Sequence, residues 1–172
     1  MEDAASNFDI PHRFSFSAVW QPHSDHVWLD HFTVAPIITA SAGSPFTGFV
    51  SGNAPPTTRI LTGILGNGGT NRLPSVERNS FRLPYQTNVD LRIARAFTLP
   101  GKTRIEILAE AFNLFNRINY TALNQTFYTI GGTAAAPTLT YNSTSFGAYS
   151  NANSGTFAPR PREIQLGARI TF

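Results

Sequence analysis

The final stretch of the chain alternates strictly between apolar and polar positions. Ile164, Leu166, Ala168, Ile170 and Phe172 are apolar, whereas Glu163, Gln165, Gly167, Arg169 and Thr171 are polar or small. Alternation with period two places the two sets on opposite faces of a strand. Core or lipid could equally cover the apolar face. Three more segments alternate less cleanly. Phe14, Phe16, Ala18 and Trp20 interleave with Arg13, Ser15 and Ser17. From Val89 to Leu99 the apolar set is Val89, Leu91, Ile93, Phe97 and Leu99, interrupted by Arg95. The intervening set is Asn88, Asp90, Arg92, Ala94, Ala96 and Thr98. The segment from Val27 to Ala40 is disturbed by Asp30, His31 and Pro36. Pro36 has no N–H to give to a ladder, so a bulge or an edge is expected there.

Thr103 to Arg117 supports two readings. Ile105, Leu108, Phe112 and Phe115 follow the 3-4-3 spacing of an amphipathic helix, and Glu, Leu and Ala favour helix. Read as a strand, the same segment turns Ile105, Ile107, Ala109 and Ala111 one way and Arg104, Glu106 and Glu110 the other. Local evidence alone leans towards the helix.

The connections add information. Residues 21–24 and 100–102 are tight turns, whereas about 43–87 and 119–161 are long stretches rich in Gly, Asn, Ser, Thr and Pro. Five strands running up and down in order would place the short turns at one end and the long, irregular loops at the other. That is the layout of a transmembrane β-barrel. Two such loops would be unusual inside a compact soluble domain.

Composition narrows the function classes. Of the 172 residues, 41% are hydrophobic and only 13% charged, and Phe occurs 14 times beside 13 Gly and 12 Pro. Short strands and turns fit this better than solvated helices. The net charge is +3 with a single lysine, Lys102, so no basic stripe follows a phosphate backbone and no nucleic-acid partner is expected. Cysteine is absent, which excludes disulfides and thiolate chemistry. No apolar run approaches the roughly 20 residues of a transmembrane helix. The polar start, Met1-Glu2-Asp3-Ala4-Ala5, lacks the features of a secretory signal, so either the protein stays where it is made or the chain is the tail of something longer.

Several pieces resemble the C-terminal barrel of TonB-dependent receptors, in particular the Oar-like group with an N-terminal carboxypeptidase-regulatory-like domain. They are Asp9-Ile10-Pro11-His12-Arg13-Phe14, Ser41-Ala42-Gly43-Ser44-Pro45-Phe46, Arg78-Asn79-Ser80-Phe81-Arg82-Leu83-Pro84 and Asn88-Val89-Asp90-Leu91. Glu110-Ala111-Phe112-Asn113-Leu114-Phe115-Asn116 and Pro161-Arg162-Glu163-Ile164-Gln165-Leu166 complete the set. Their order and spacing cover nearly the whole chain.

The resemblance implies that Ile105 to Phe115 is the penultimate strand, and it decides the ambiguous segment in favour of strand. It further implies an all-β fold, an antiparallel up-and-down meander of about five transmembrane strands. Residues 1–172 would then be an open fragment of a barrel of roughly 22 strands, a size associated with plugged transporters. The plug, the TonB box and the earlier strands would lie outside this sequence.

The ending Gln165-x-Gly167-x-x-Ile170-x-Phe172 resembles the β-signal read by the outer-membrane assembly machinery, although an ordinary amphipathic strand would look similar. Arg92, Arg104, Glu106 and Glu110 would point into the barrel as strand residues, lining a substrate path or forming ion pairs. His23, His26 and His31 with Asp25 and Asp30 straddle a turn without metal-ligand spacing, which favours a solvated turn. Gly63 to Gly69 is glycine-rich but no Lys-Ser/Thr follows, so it reads as a loop.

The function expected is therefore a segment of an outer-membrane receptor that imports a siderophore, oligosaccharide or peptide and is inactive alone. Its expected partners are outer-membrane lipid, the barrel assembly machinery, and TonB through the missing N-terminal part. No cofactor, metal or catalytic group is expected. The competing reading is a soluble or surface-exposed β-sheet binding or adhesion module, whose apolar face would need a second covering layer.

Overall fold

The computed structural model describes residues 4–23, 25, 30–52, 71–72, 76–101, 103–133, 135–153 and 160–172. Among them there is no helix. Twelve strands follow one another: β1 Arg13–Ser17, β2 Phe32–Ser41, β3 Pro45–Phe46, β4 Phe49–Ser51, β5 Phe81–Arg82, β6 Gln86–Thr98, β7 Arg104–Phe112, β8 Tyr120–Leu123, β9 Thr126–Gly132, β10 Pro137–Tyr141, β11 Tyr149–Ala152 and β12 Glu163–Thr171. They fall into two compact units. One comprises His12–Ser41, Tyr85–Asn119 and Asn153–Phe172, and the other Met1–Pro11, Ala42–Pro84 and Tyr120–Ala152.

The first unit is a five-stranded sheet in the order β1-β2-β6-β7-β12, antiparallel at every step. This is the expected up-and-down meander. The sheet is open: among the described residues β1 and β12 each pair with one neighbour only. Strands β2, β6, β7 and β12 contain 10, 13, 9 and 9 residues, reaching the roughly 9–11 that a tilted strand needs to cross a bilayer. Ser41 pairs with Gln86 and Phe112 with Glu163, so both long connections leave from the same end of the sheet.

Pro36 corrects one expectation. It lies in the interior strand β2, opposite Leu91, in a register without a shift, so there is neither bulge nor edge. The cost falls on the neighbouring strand instead. The Pro36 carbonyl accepts from the Ala18 N–H at 3.2 Å, but Pro36 has no N–H to return. The ladder lapses after Ser17 and resumes at the Trp20–Val34 bridge, where N–H···O bonds of 2.8 and 2.9 Å run both ways. The Phe14–Trp20 alternation thus survives as a strand with one gap. Strand β2 is described from Phe32; the connection before it includes 24 and 26–29, outside the described residues, so the turn read at 21–24 is only partly described.

The ambiguous segment is a strand, as the resemblance implied for Ile105 to Phe115, but it covers only Arg104–Phe112. Asn113 and Asn116 then take positive φ angles of 48° and 50°, a region Asn tolerates better than most side chains, and they turn the chain away. The helical spacing arose because Leu108 and Phe112 lie on the face opposite Ile105, with Phe115 already in the turn.

The second unit corrects the expectation of irregular loops. The long connections carry β3 to β5 and β8 to β11, in two- and three-stranded sheets, one pair of which (β4 with β9) is parallel. Their core is aromatic: Phe46 stacks on Phe81 at 5.4 Å, and Phe146 contacts Phe81 at 5.1 Å and Phe127 at 4.7 Å. Val50 and Ile130 are buried, and in a polar clasp Thr47 and Asn7 bond to Asn79 while Asp9 pairs with Arg82. Gly43 passes so close to the Leu83 carbonyl that a β-carbon there would overlap it. Three of the pieces that carry the family resemblance, at Asp9, at Gly43–Phe46 and at Asn79–Leu83, therefore meet in one place.

Candidate functional site

The strand registers sort every side chain of the five-stranded sheet onto one of two faces. One face carries Phe14 and Phe16 of β1, Phe32, Val34, Pro36 and Ile38 of β2, and Val89, Leu91, Ile93 and Phe97 of β6. It continues through Ile105, Ile107, Ala109 and Ala111 of β7 to Ile164, Leu166, Ala168 and Ile170 of β12. These side chains face outward; Leu166 is 82% exposed, and Phe14, Trp20, Ile107, Ile164 and Ile170 are also exposed. A contiguous apolar surface of this extent is not left to water.

Arg95 is the one charged residue of the five strands on that face. Its guanidinium lies 5.0 Å from the centroid of Phe32 and 4.9 Å from that of Phe97, in cation–π contact with both. The aromatic residues Trp20, Phe32, Phe97 and Phe172 all lie towards the short-turn end.

The opposite face is polar, and it carries all four residues proposed to point inward. Arg92 of β6 reaches Glu110 of β7 at 3.4 Å and Glu106 at 3.7 Å. Arg104, opposite Thr171 of β12, shares a cleft of about 300 Å³ with Glu106, Thr171 and Arg169, and Glu106 is opposite Arg169. Ion pairs that remain this accessible to solvent hold little fold energy. Large apolar exceptions on this face are Ile37, Leu108 and Phe112.

Where the polar face meets the long connections, two nearly buried asparagines organise the chain. Asn113, 2% exposed, donates from Nδ2 to the carbonyls of Arg117 and Arg160, accepts from the Arg117 N–H, and gives its own N–H to Asp90. Asn119, 1% exposed, pairs with the backbone of Thr87 in both directions, at 2.8 and 3.0 Å. A cleft of about 320 Å³ opens there, lined by Asn88, Asp90, Phe112, Glu163 and Gln165 among others. The sequence reading missed these asparagines; the signal for Asn113 was an Asn directly after a strand, whereas Asn119 directly precedes β8.

The four residues read as a β-signal divide between the faces of β12. Gln165 and Gly167 lie on the polar face, and Ile170 with the fully exposed Phe172 continues the apolar one. Gln165 bonds Glu163 at 2.7 Å. In the first connection Asp30 stands 3.0 Å from His31 and 3.7 Å from His23. Among the described residues no group of three or more His, Asp or Glu could hold a metal. His26 and the Gly63–Gly69 segment lie outside the described residues.

Comparison with known families agrees with this geometry. A family model described as an outer membrane beta barrel domain matches residues 1–165. No curated protein and no solved structure matches the chain.

Proposed function

This chain belongs to the outer membrane beta barrel domain family, a family of the bacterial outer membrane, and from that premise we propose that it forms the C-terminal part of a TonB-dependent receptor of the Oar-like kind. The observation that carries the reading is the two-faced sheet. One side is apolar across all five strands, and the other bears the Arg92–Glu106–Glu110 ion pairs and the polar cleft at Asp90 and Glu163. Lipid would cover the first side, and the lumen of a larger barrel the second. The two long connections, leaving from one end, would be extracellular and would meet the ligand first. Imported siderophore, oligosaccharide or peptide would then pass along the polar face, with energy supplied through TonB. In this reading the chain performs no chemistry; its part is to close, line and anchor a transporter. The outer-membrane assembly machinery would recognise β12.

The test is the reading frame upstream of Met1. An in-frame extension encoding further amphipathic strands, a plug and a TonB box supports the receptor reading. A stop codon behind a genuine ribosome-binding site would overturn it, leaving a smaller outer-membrane β-protein.

A further inference from the structure

We propose that Arg104 and Arg169 form a binding site for the phosphate group of a small solute, on the polar face of the sheet near its short-turn end. The inference goes beyond the transport reading and asks only that this face be open to solvent. Arg104 of β7 lies opposite Thr171 of β12, and Arg169 lies opposite Glu106. The two arginines are therefore diagonal neighbours on one face, with backbones on the order of 7–8 Å apart. Together with Glu106 and Thr171 they line a cleft of about 300 Å³. That volume stands at the lower end of the range for small-molecule sites.

The two side chains are also uncommitted. Both residues are exposed, and among the described residues neither guanidinium enters an ion pair or a hydrogen bond. Arg92, on the same face, is by contrast held by Glu110 at 3.4 Å and Glu106 at 3.7 Å. Like charges at neighbouring positions of a sheet repel. Glu106 offsets one of the two at most, and it is shared with Arg92. The cleft therefore keeps a positive excess that an anion would relieve.

The donor set selects the kind of anion. A guanidinium fork engages two oxygens of an oxyanion side by side. Two forks reaching in from different strands, with the Thr171 hydroxyl as a further donor, call for more than two oxygens. A carboxylate offers only two. A phosphate monoester offers three terminal oxygens and a charge of about −1.5 to −2 at neutral pH. The cleft lies on the face opposite the apolar one, so the phosphate belongs to a dissolved molecule and not to a bilayer lipid.

The experiment titrates the full chain, purified in dodecyl maltoside at low ionic strength, by calorimetry. Glycerol phosphate is the probe and glycerate its carboxylate counterpart. Glycerol phosphate should bind saturably and glycerate should not. Arg104→Gln and Arg169→Gln should each weaken binding about tenfold, the factor expected of one charge-assisted contact, and the double variant should not saturate. Glu106→Gln should tighten binding by removing the one repulsive charge in the cleft, a gain that a misfolded chain could not produce. Arg13→Gln, on the same face at the far edge strand, should bind like wild type. Phosphatidylglycerol added to the micelles should not compete.

Equal binding of glycerate, a double variant that binds like wild type, or no saturable binding by the wild-type chain would overturn the proposal. An Arg13→Gln loss as large as that of Arg104→Gln would overturn it by revealing attraction to overall charge. Competition by phosphatidylglycerol would overturn the assignment to a solute, because the site would then hold a lipid headgroup.

Discussion

Gly167 of β12 lies opposite Leu108 of β7, and a β-carbon on Gly167 would sit 3.2 Å from Leu108 Cδ1 and 3.3 Å from its Cγ. Leu108 is one of the few large apolar side chains on the polar face, and the glycine leaves room for it. Gly167 is also a member of the motif read as an assembly signal, so packing gives a separate reason for glycine at this position. Gly167→Val should cost about 1–2 kcal/mol through overpacking. Adding Leu108→Ala should recover most of that loss, measured by urea unfolding in detergent. If the double variant is no more stable than Gly167→Val, this contact is not the cause.

Asn113 should matter far more than its loop position suggests. Asn113→Ala removes three side-chain hydrogen bonds from a nearly buried site and leaves a β-carbon at φ 48°. A loss of roughly 2–3 kcal/mol is expected. Asn113→Gly loses the same bonds but relaxes the backbone, so it should fall less far. Limited proteolysis near 113–119 is the readout. An Asn113→Ala chain as resistant as wild type would refute the role assigned to this network.

Arg92 illustrates the opposite case. Its side chain is 46% exposed while pairing with Glu106 and Glu110. Arg92→Ala should therefore change stability by less than about 1 kcal/mol, and added salt should narrow the difference further. Unfolding curves at low and high ionic strength check this. A loss of several kcal/mol would mean the pair is desolvated in the complete barrel.

The two-faced sheet was legible because a strand converts period two directly into sidedness, and Ile164 to Phe172 obeys that rule without exception. Thr103 to Arg117 was less legible, since Leu108 and Phe112 break the alternation where a helix would also place apolar groups. Pro36 misled because its missing donor faces Ala18, so the irregularity shows in β1 and not in β2. The second unit was not legible at all. Strands β3, β4 and β5 hold only two or three residues, too few to show a period, and their partners are distant: Phe46 pairs with Phe81, and Val50 with Tyr128. The paired Asp9 and Arg82, and the stacked Phe46 and Phe81, appeared in the sequence only as pieces of a family resemblance. Of the sites, the sequence reading placed Arg92, Glu106 and Glu110 on one face but gave no sign that Asn113 and Asn119 close its end.

Phe172 separates recognition from stability. It is fully exposed, so its deletion should leave the unfolding of purified protein unchanged. In a cell, the protein lacking Phe172 should accumulate in the periplasm or be degraded if the assembly machinery reads this residue. Normal outer-membrane levels of the deleted form would sink the β-signal assignment.

The central claim is that lipid covers the apolar face, and the absence of cysteine allows a direct measurement. Single cysteines are introduced in turn from Ile105 to Glu110 of this cysteine-free chain and probed in intact outer membranes. A membrane-impermeant maleimide should label the Glu106 and Glu110 positions once the lumen is accessible. The Ile105, Ile107 and Ala109 positions should instead react with a photoactivatable lipid. That alternation, reversing at every residue, is the result the lipid-facing sheet predicts. Protection of the Ile105, Ile107 and Ala109 positions from both reagents would contradict it, because a second protein layer would then cover the face.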